Sequence, residues 1–474
     1  MATQCSAELF EFHGLNERKV VARFDGGQIS SDGGSLLLGE VEQRTAIIKR
    51  LSQAFTDYRD SERIEHSVAE LVAQRVYGLA LGYEDLNDHD RLREDHLLGL
   101  LVGKQDFQGL HRSRSLDVGK PLASSSTLNR LELSTGKEME SERYKKIVAN
   151  ESAMDKLLLD VFVESHGRRP ARVWLDLDAT DDPLHGEQEG RFFHGYYRCY
   201  CYLPLYIFSG EHLLCARLRE SNQDGAAGSV TELQRIVGQI RRHWSNVPIA
   251  IRGDSGFCRE AIMAWCESNN VDYVLGLAKN ARLKRAIGDA LEEARLLHEE
   301  TGEACRIFKE LEYKTRKSWS RTRRVVGKAE HLAKGSNPRF VVTTFSADEF
   351  DAQNLYEEQY CIRGDMENRI KEQQLDLFAD RTSTATMRAN QLRLYLSSFA
   401  YTLMTGLRRL GLKGTSMAKA QCGTIREKLF KIAVRLKVTV RKVWLSYSES
   451  YPYAELMRQI VAQLSQVAVW RPPP

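Results

Sequence analysis

Apolar residues recur every three to four positions through EHSVAELVAQRVYGLALG and MDKLLLDVFVESHG, with Gly, Asp and Ser punctuating the intervals between such runs. That spacing puts them on one face of a helix and predicts a helical region over 34–170. At Arg172 the period drops to two. RVWLDLDAT alternates Val173, Leu175 and Leu177, the mark of a strand, and YCYLPLYIFSG and HLLCARLRE follow as further strands. Residues 198–219 read as an antiparallel hairpin turning at Ser209-Gly210-Glu211. A helix is predicted over 229–243, opened by a Ser229/Glu232 capping box. Strand VPIAIRGD, helix CREAIMAWCESNN and strand VDYVLGLA come next. Three strands, helix, strand, helix, strand is the order of an α/β core. Residues 281–345 interrupt it with one charged helix and the basic strands ACRIFKELEY, TRRVVGKAEH and PRFVVTTF. A long amphipathic helix resumes over 355–376, and the chain to 465 reads as helical and basic.

Composition narrows the class. With 474 residues, 42% apolar and 28% charged, the chain is a globular protein of roughly two to four domains. The longest apolar stretches are short and interrupted, which predicts no membrane span. The opening MATQCSAELFEFHG carries Glu8 and Glu11 and no basic segment ahead of an apolar core, so a cytoplasmic protein is expected. Nine Cys with no CxxC pair predict reduced, packed thiols. The net charge of +4 hides a segregation: residues 1–150 carry −4, residues 301–345 carry +7, and residues 381–442 carry +13 with Glu427 as their single acid. Concentrated Lys and Arg suit a polyanionic partner, because they release counterions from phosphates.

Two acids close apolar strands. Asp178 ends the first and Asp254 ends the fourth, in IRGDSGF. Asp is also an ordinary cap residue, but in a sheet with parallel neighbours, strand ends border the crevice where ligands bind. Asp176 lies two residues earlier on the same face and rivals Asp178. On the long helix, Tyr360, Arg363, Glu367 and Lys371 share one stripe, an acid between two bases. As a structural run these would be weak intrahelical ion pairs of about 0.2–0.5 kcal/mol each. His185 and His194, with Glu187 between them, sit too far apart for a convincing zinc site and are expected to line the core or a groove.

Together, LDLDATDDPLHGEQEGRFFHGYY, IRGDSGF, RGDMENRIKE and FDGGQISSDGGSLLLGE resemble the Asp-Asp-Glu (DDE) transposases of bacterial insertion sequences. The resemblance is to the branch with a Tyr-Arg-Glu-Lys signature, and within it to the family numbered thirteen-eighty. It implies an α/β fold with a ribonuclease-H-like core, a mixed five-stranded sheet that carries a mainly β insertion domain between helical flanks. The boundaries expected are 1–170 for end binding and dimerisation, 171–280 and 346–380 for the core, 281–345 for the insertion and 381–474 for a basic helical tail. Asp178, Asp254 and Glu367, 76 and 113 residues apart, become the catalytic acids and the ligands of two Mg²⁺ ions, with Mn²⁺ as substitute. Asp178 would bridge both ions. Tyr360, Arg363, Lys371, Arg323 and Arg324 become DNA contacts, and Trp319 a base-stacking residue. Gln374 stands where the branch has Lys or Arg, leaving the phosphate contact of that position unfilled. The partners implied are inverted-repeat ends, target DNA and a second copy of the chain. A structure-specific nuclease of the same fold, or a silent DNA binder derived from a transposase, are the alternatives.

Overall fold

A computed structural model describes residues 9–15, 18–133 and 146–471. The chain forms two compact units. One is built from the stretch ending at Ala46, from Asp60–Asn129 and from the stretch beginning at Gly406; the other is built from Ile47–Arg59 and Arg130–Thr405.

The second unit is organised by a nine-stranded sheet: β1 (Val173–Ala179), β2 (Leu205–Ser209), β3 (His212–Arg217), β4 (Ile249–Gly253), β5 (Asp272–Leu277), β6 (Cys305–Tyr313), β7 (Arg323–Leu332), β8 (Gly335–Ser336) and β9 (Arg339–Thr343). The strand order is β3-β2-β1-β4-β5-β9-β7-β6, with β8 paired to β7. β1, β4 and β5 run parallel to one another, while β2, β3 and β9 join antiparallel. Leu175, Leu177, Ile249 and Ile251 project from the strands into a core closed by Leu233, Ile236 and Ile240 of helix Ser229–His243 and by Ile262 and Met263 of helix Glu260–Ser268. Each such side chain contributes about 1.5–3 kcal/mol on burial.

Two expectations change here. The sheet is larger than five strands, because the basic strands of 281–345 extend it through the β5–β9 pairing. Val341 and Val342 point to opposite faces and both are fully buried, in two separate apolar clusters, so this strand requires a neighbour on each side. The helix at 229 opens without the capping box. Gly228, with φ of 76°, is the cap, and Glu232 turns to Arg217 at 3.2 Å and Arg235 at 2.8 Å. The hairpin turn at Gly210 forms as expected, between β2 and β3.

In the first unit, Val434–Val438 and Val443–Tyr447 form a hairpin that pairs with Gln28–Ser30 near the other end of the chain. The basic tail is therefore partly β. Its period-two run, with Val434 and Leu436 inward and Arg435 and Lys437 outward, fits a half-buried strand better than a helix. Strands Phe10–Leu15 and Arg18–Ala22 likewise depart from an all-helical N-terminal region. Gly34 allows the closest approach: a Cβ there would lie 1.7 Å from the Leu429 carbonyl oxygen. Next to it, Asp32 is fully buried and accepts from Tyr83 Oη and Lys431 Nζ, both at 2.6 Å. Among the described residues no helix is long and apolar enough to cross a membrane, and the eight cysteines described are free thiols.

Candidate active site

Register brings the two aspartates together. Leu177 on β1 pairs with Gly253 on β4, so the residues that follow, Asp178 near the end of β1 and Asp254 just past β4, stand side by side on adjacent parallel strands. Asp178 accepts from the Ala179 N–H at 2.9 Å, and Asp254 from the Gly256 N–H at 2.8 Å. The third acid comes from the helix Gly364–Leu377. Arg363, the residue before it, stands between the acids, with Nη1 3.6 Å from Asp178 Oδ2 and Nη2 3.6 Å from Glu367 Oε1. The stripe expected on a uniform helix is uneven here: a wide π turn covers Leu355–Tyr360 and a tight 3-10 turn covers Cys361–Arg363 before regular helix begins. Such widened turns interrupt helices at functional sites.

Electrostatics tie the group together. Burial pushes the Asp178 carboxyl up to about 6; Arg363 opposes this, and the negative charges of Asp254 and Glu367 add to it. Tyr360 is raised by burial and by Asp254, with Arg363 opposing. Burial disfavours the Arg363 charge, but Tyr360 and the three acids outweigh it and hold the guanidinium above its ordinary value. Glu367 is half exposed, and Lys371, one turn further on, is exposed.

Two supporting residues were not legible as such in the sequence. Arg252, two before Asp254, is buried and binds both oxygens of Asp176, at 2.5 and 2.9 Å, while donating to the Gln359 carbonyl at 3.0 Å. One guanidinium thus joins β4, β1 and the π turn at Leu355–Tyr360, which precedes the helix that bears Glu367. Asp176 is committed to this pair and is 2% exposed, whereas Asp178 faces Arg363 and the other acids. Gly276 on β5 is the second. A Cβ there would sit 2.5 Å from Tyr360 Oη and 2.9 Å from the Ser255 nitrogen, so only glycine lets Tyr360 lie against the Asp254 loop. The signals available were an arginine inside an otherwise apolar strand and a glycine inside VDYVLGLA.

Other expected contacts are placed elsewhere. Trp319 is 6% exposed, packed edge-on against Tyr313 at 5.6 Å with Arg323 over its ring, and its face is not presented to a base. Arg323 is buried between Glu260 and Glu267. Arg324 binds Glu310 and the carbonyls of Phe345, Ser346 and Phe350. These three are held by internal partners because the basic strands belong to the main sheet. Gln374 donates to Asp182 Oδ1 at 2.9 Å and to the Asp181 carbonyl at 3.3 Å. His185 is exposed, and His194 packs on Tyr197. Among the described residues no three His, Cys, Asp or Glu side chains already converge as a metal cage.

Comparison with known proteins adds three findings. No curated protein matches the chain. Among solved structures, a piggyBac transposase in its synaptic complex with hairpin DNA, seen by cryo-EM, matches 93% of this chain and 86% of its own at 10% identity, with a TM-score of 0.39. A family model described as transposase DDE domain, group 1, matches residues 12–469.

Proposed function

The chain belongs to the family of transposase DDE domains, group 1, and from that premise we propose that it binds inverted-repeat DNA ends, cleaves them and transfers the 3′-hydroxyl strands into a target. The observation that supports this reading most directly is the meeting of Asp178 and Asp254 across the parallel pair β1–β4, with Arg363 reaching from Asp178 to Glu367. The strand order β3-β2-β1-β4-β5, antiparallel then parallel, favours a ribonuclease-H-like core within the larger sheet. The motif strings of the sequence favour a narrower membership, in the insertion-sequence family thirteen-eighty.

The donor set fits hard divalent cations. Carboxylate oxygens are their preferred ligands, and Asp178 is raised partly because Asp254 and Glu367 repel its charge, a repulsion that a cation relieves. Asp178, Asp254 and Glu367 would hold two Mg²⁺ ions, which Mn²⁺ can replace and which supply charge to attacking and leaving oxygens. The chain's own groups do the rest. Arg363 offers its planar guanidinium to a phosphate as it leaves the acids, a bidentate match. Tyr360, seated on Gly276, walls the same side, and Arg252 ties β4 to β1 and to the π turn that leads into the Glu367 helix. Exposed Lys371 extends the phosphate contact along the helix. A homodimer holding two ends, acting in the cytoplasm, completes the reading.

Incubating the protein with labelled element ends, a target plasmid and Mg²⁺ tests it. Cutting followed by joined products supports the transposase. Cutting without joining supports a nuclease of this fold, and binding without cutting supports a silent DNA binder.

A further inference from the structure

Between the strand that carries Asp178 and the next strand of the large sheet lies a small antiparallel sheet, Asp182–Pro183, Phe192–His194 and Cys199–Tyr202. Its hairpin exposes several aromatic rings. Phe193 is 57% exposed, Tyr200 46% and Tyr196 84%. Phe193 and Tyr200 pair across the strands with centroids 5.6 Å apart, and Arg191 lies 4.5 Å over the Tyr200 ring. Arg198, exposed and at φ of 58°, closes the turn and adds a second cation. Apolar rings concentrated on a surface loop mark a binding site.

The hairpin is fixed to the candidate active site at both roots. Cys199 Sγ donates to Asp181 at 3.9 Å, and Gln374, from the helix that bears Glu367, holds Asp181 and Asp182. Glu189 is pinned through its N–H to the Ala385 carbonyl at 2.9 Å and through its carboxylate to the Met387 N–H at 3.1 Å, just beyond that same helix. Tyr197, packed on His194, is raised to about 12 by burial and then by the charges of Asp181 and Asp178, which places the turn within their field.

We propose that the hairpin Phe192–Tyr202 is a stacking platform for unpaired DNA bases beside the acids, with Phe193, Tyr196 and Tyr200 as the contacting rings. Rings of this kind bind any base face, and exposed Arg198 meets the backbone, Arg191 being held by Glu187 and the Gly186 carbonyl beside the Tyr200 ring. The rings and cations suit a single strand, and the anchoring to the strand of Asp178 and the helix of Glu367 sets that strand at the scissile phosphate. This rests on the transposase reading, with which it shares the acids.

The test is fluorescence anisotropy with fluorescein-labelled oligothymidylate and with a blunt duplex, on the full chain. Phe193→Ala/Tyr200→Ala and Tyr196→Ala should each weaken oligothymidylate binding by about tenfold or more, leave duplex binding unchanged, and Tyr200→Phe should retain it. Equal oligothymidylate affinity in wild type and variants overturns the proposal. So does loss of self-association by sedimentation without loss of oligothymidylate affinity, which would make the patch an interface between copies. Cutting of duplex ends by the wild type, measured in parallel, judges the transposase reading separately: no cutting with ring-dependent oligothymidylate binding defeats that reading and leaves the platform standing.

Discussion

Arg252 holds both carboxylate oxygens of Asp176, at 2.5 and 2.9 Å, in a pair buried inside the sheet. Two residues along the same strand, Asp178 has as its cation only Arg363, at 3.6 Å, and faces Asp254 and Glu367 as well. The two aspartates should therefore fail differently. Asp176→Ala or Arg252→Met leaves a buried charge unpaired and should cost about 3–5 kcal/mol, read as a lowered urea midpoint. Asp178→Asn should abolish cutting with the midpoint unchanged or raised. Normal stability in Asp176→Ala together with cutting by Asp178→Asn would reverse the two roles.

Asp254→Asn and Glu367→Gln should each remove cutting by several orders of magnitude while end binding, measured by gel shift, persists. Their exposure is partial and their loss opens no cavity, so circular dichroism and melting should stay near wild type. Chelation of divalent cations should reproduce their phenotype in the unmodified protein. Full cutting in the chelated protein would remove metal ions from the proposed chemistry.

Gly276→Ala forces a methyl to within 2.5 Å of Tyr360 Oη and 2.9 Å of the Ser255 nitrogen. The ring can yield, but the backbone beside Asp254 cannot without moving that acid. Cutting should fall at least tenfold, and Tyr360→Phe added to Gly276→Ala should restore little of it. Full rescue by the double variant would assign the whole effect to the hydroxyl.

Asp182 is fully buried, and burial lifts its carboxyl to about 8, with Gln374 opposing and Asp380 and Asp181 adding. A group raised in the folded state stabilises most below its unfolded value near 3.8, and that contribution is lost as pH rises through 8. Between those limits the wild type should lose about 1.4 kcal/mol per pH unit relative to Asp182→Asn. Melting curves of the two proteins from pH 5 to 9 measure it, and parallel curves would contradict it. Gln374→Lys, which sets an ammonium beside Asp182, should flatten the wild-type slope.

Much of this site could be read from the chain. Asp178 and Asp254 stood out because acids ended apolar strands, and the order of elements in the core matched the one observed. What escaped was pairing at long range. Nothing local in PRFVVTTF says that Val341 and Val342 are buried on opposite faces, so the basic strands read as a separate domain rather than an extension of the sheet. The same blindness made Trp319, Arg323 and Arg324 look available, since a run of basic residues does not reveal that Glu260, Glu267 and Glu310 await them. In the tail, high positive charge masked the alternation of Val434, Leu436 and their basic neighbours.

The pairing of Gln28–Ser30 with Val434–Val438 orders events during synthesis. The first of these strands leaves the ribosome roughly 20–80 s before its partner at about 5–20 residues per second. All strands of the large sheet, within residues 173–343, have been synthesised about 5–18 s before Val434. The newborn chain thus holds every strand of the large sheet while the start of the chain still waits for its partner strand, and shortening the chain ahead of Val434 would deprive Gln28–Ser30 of that strand for good.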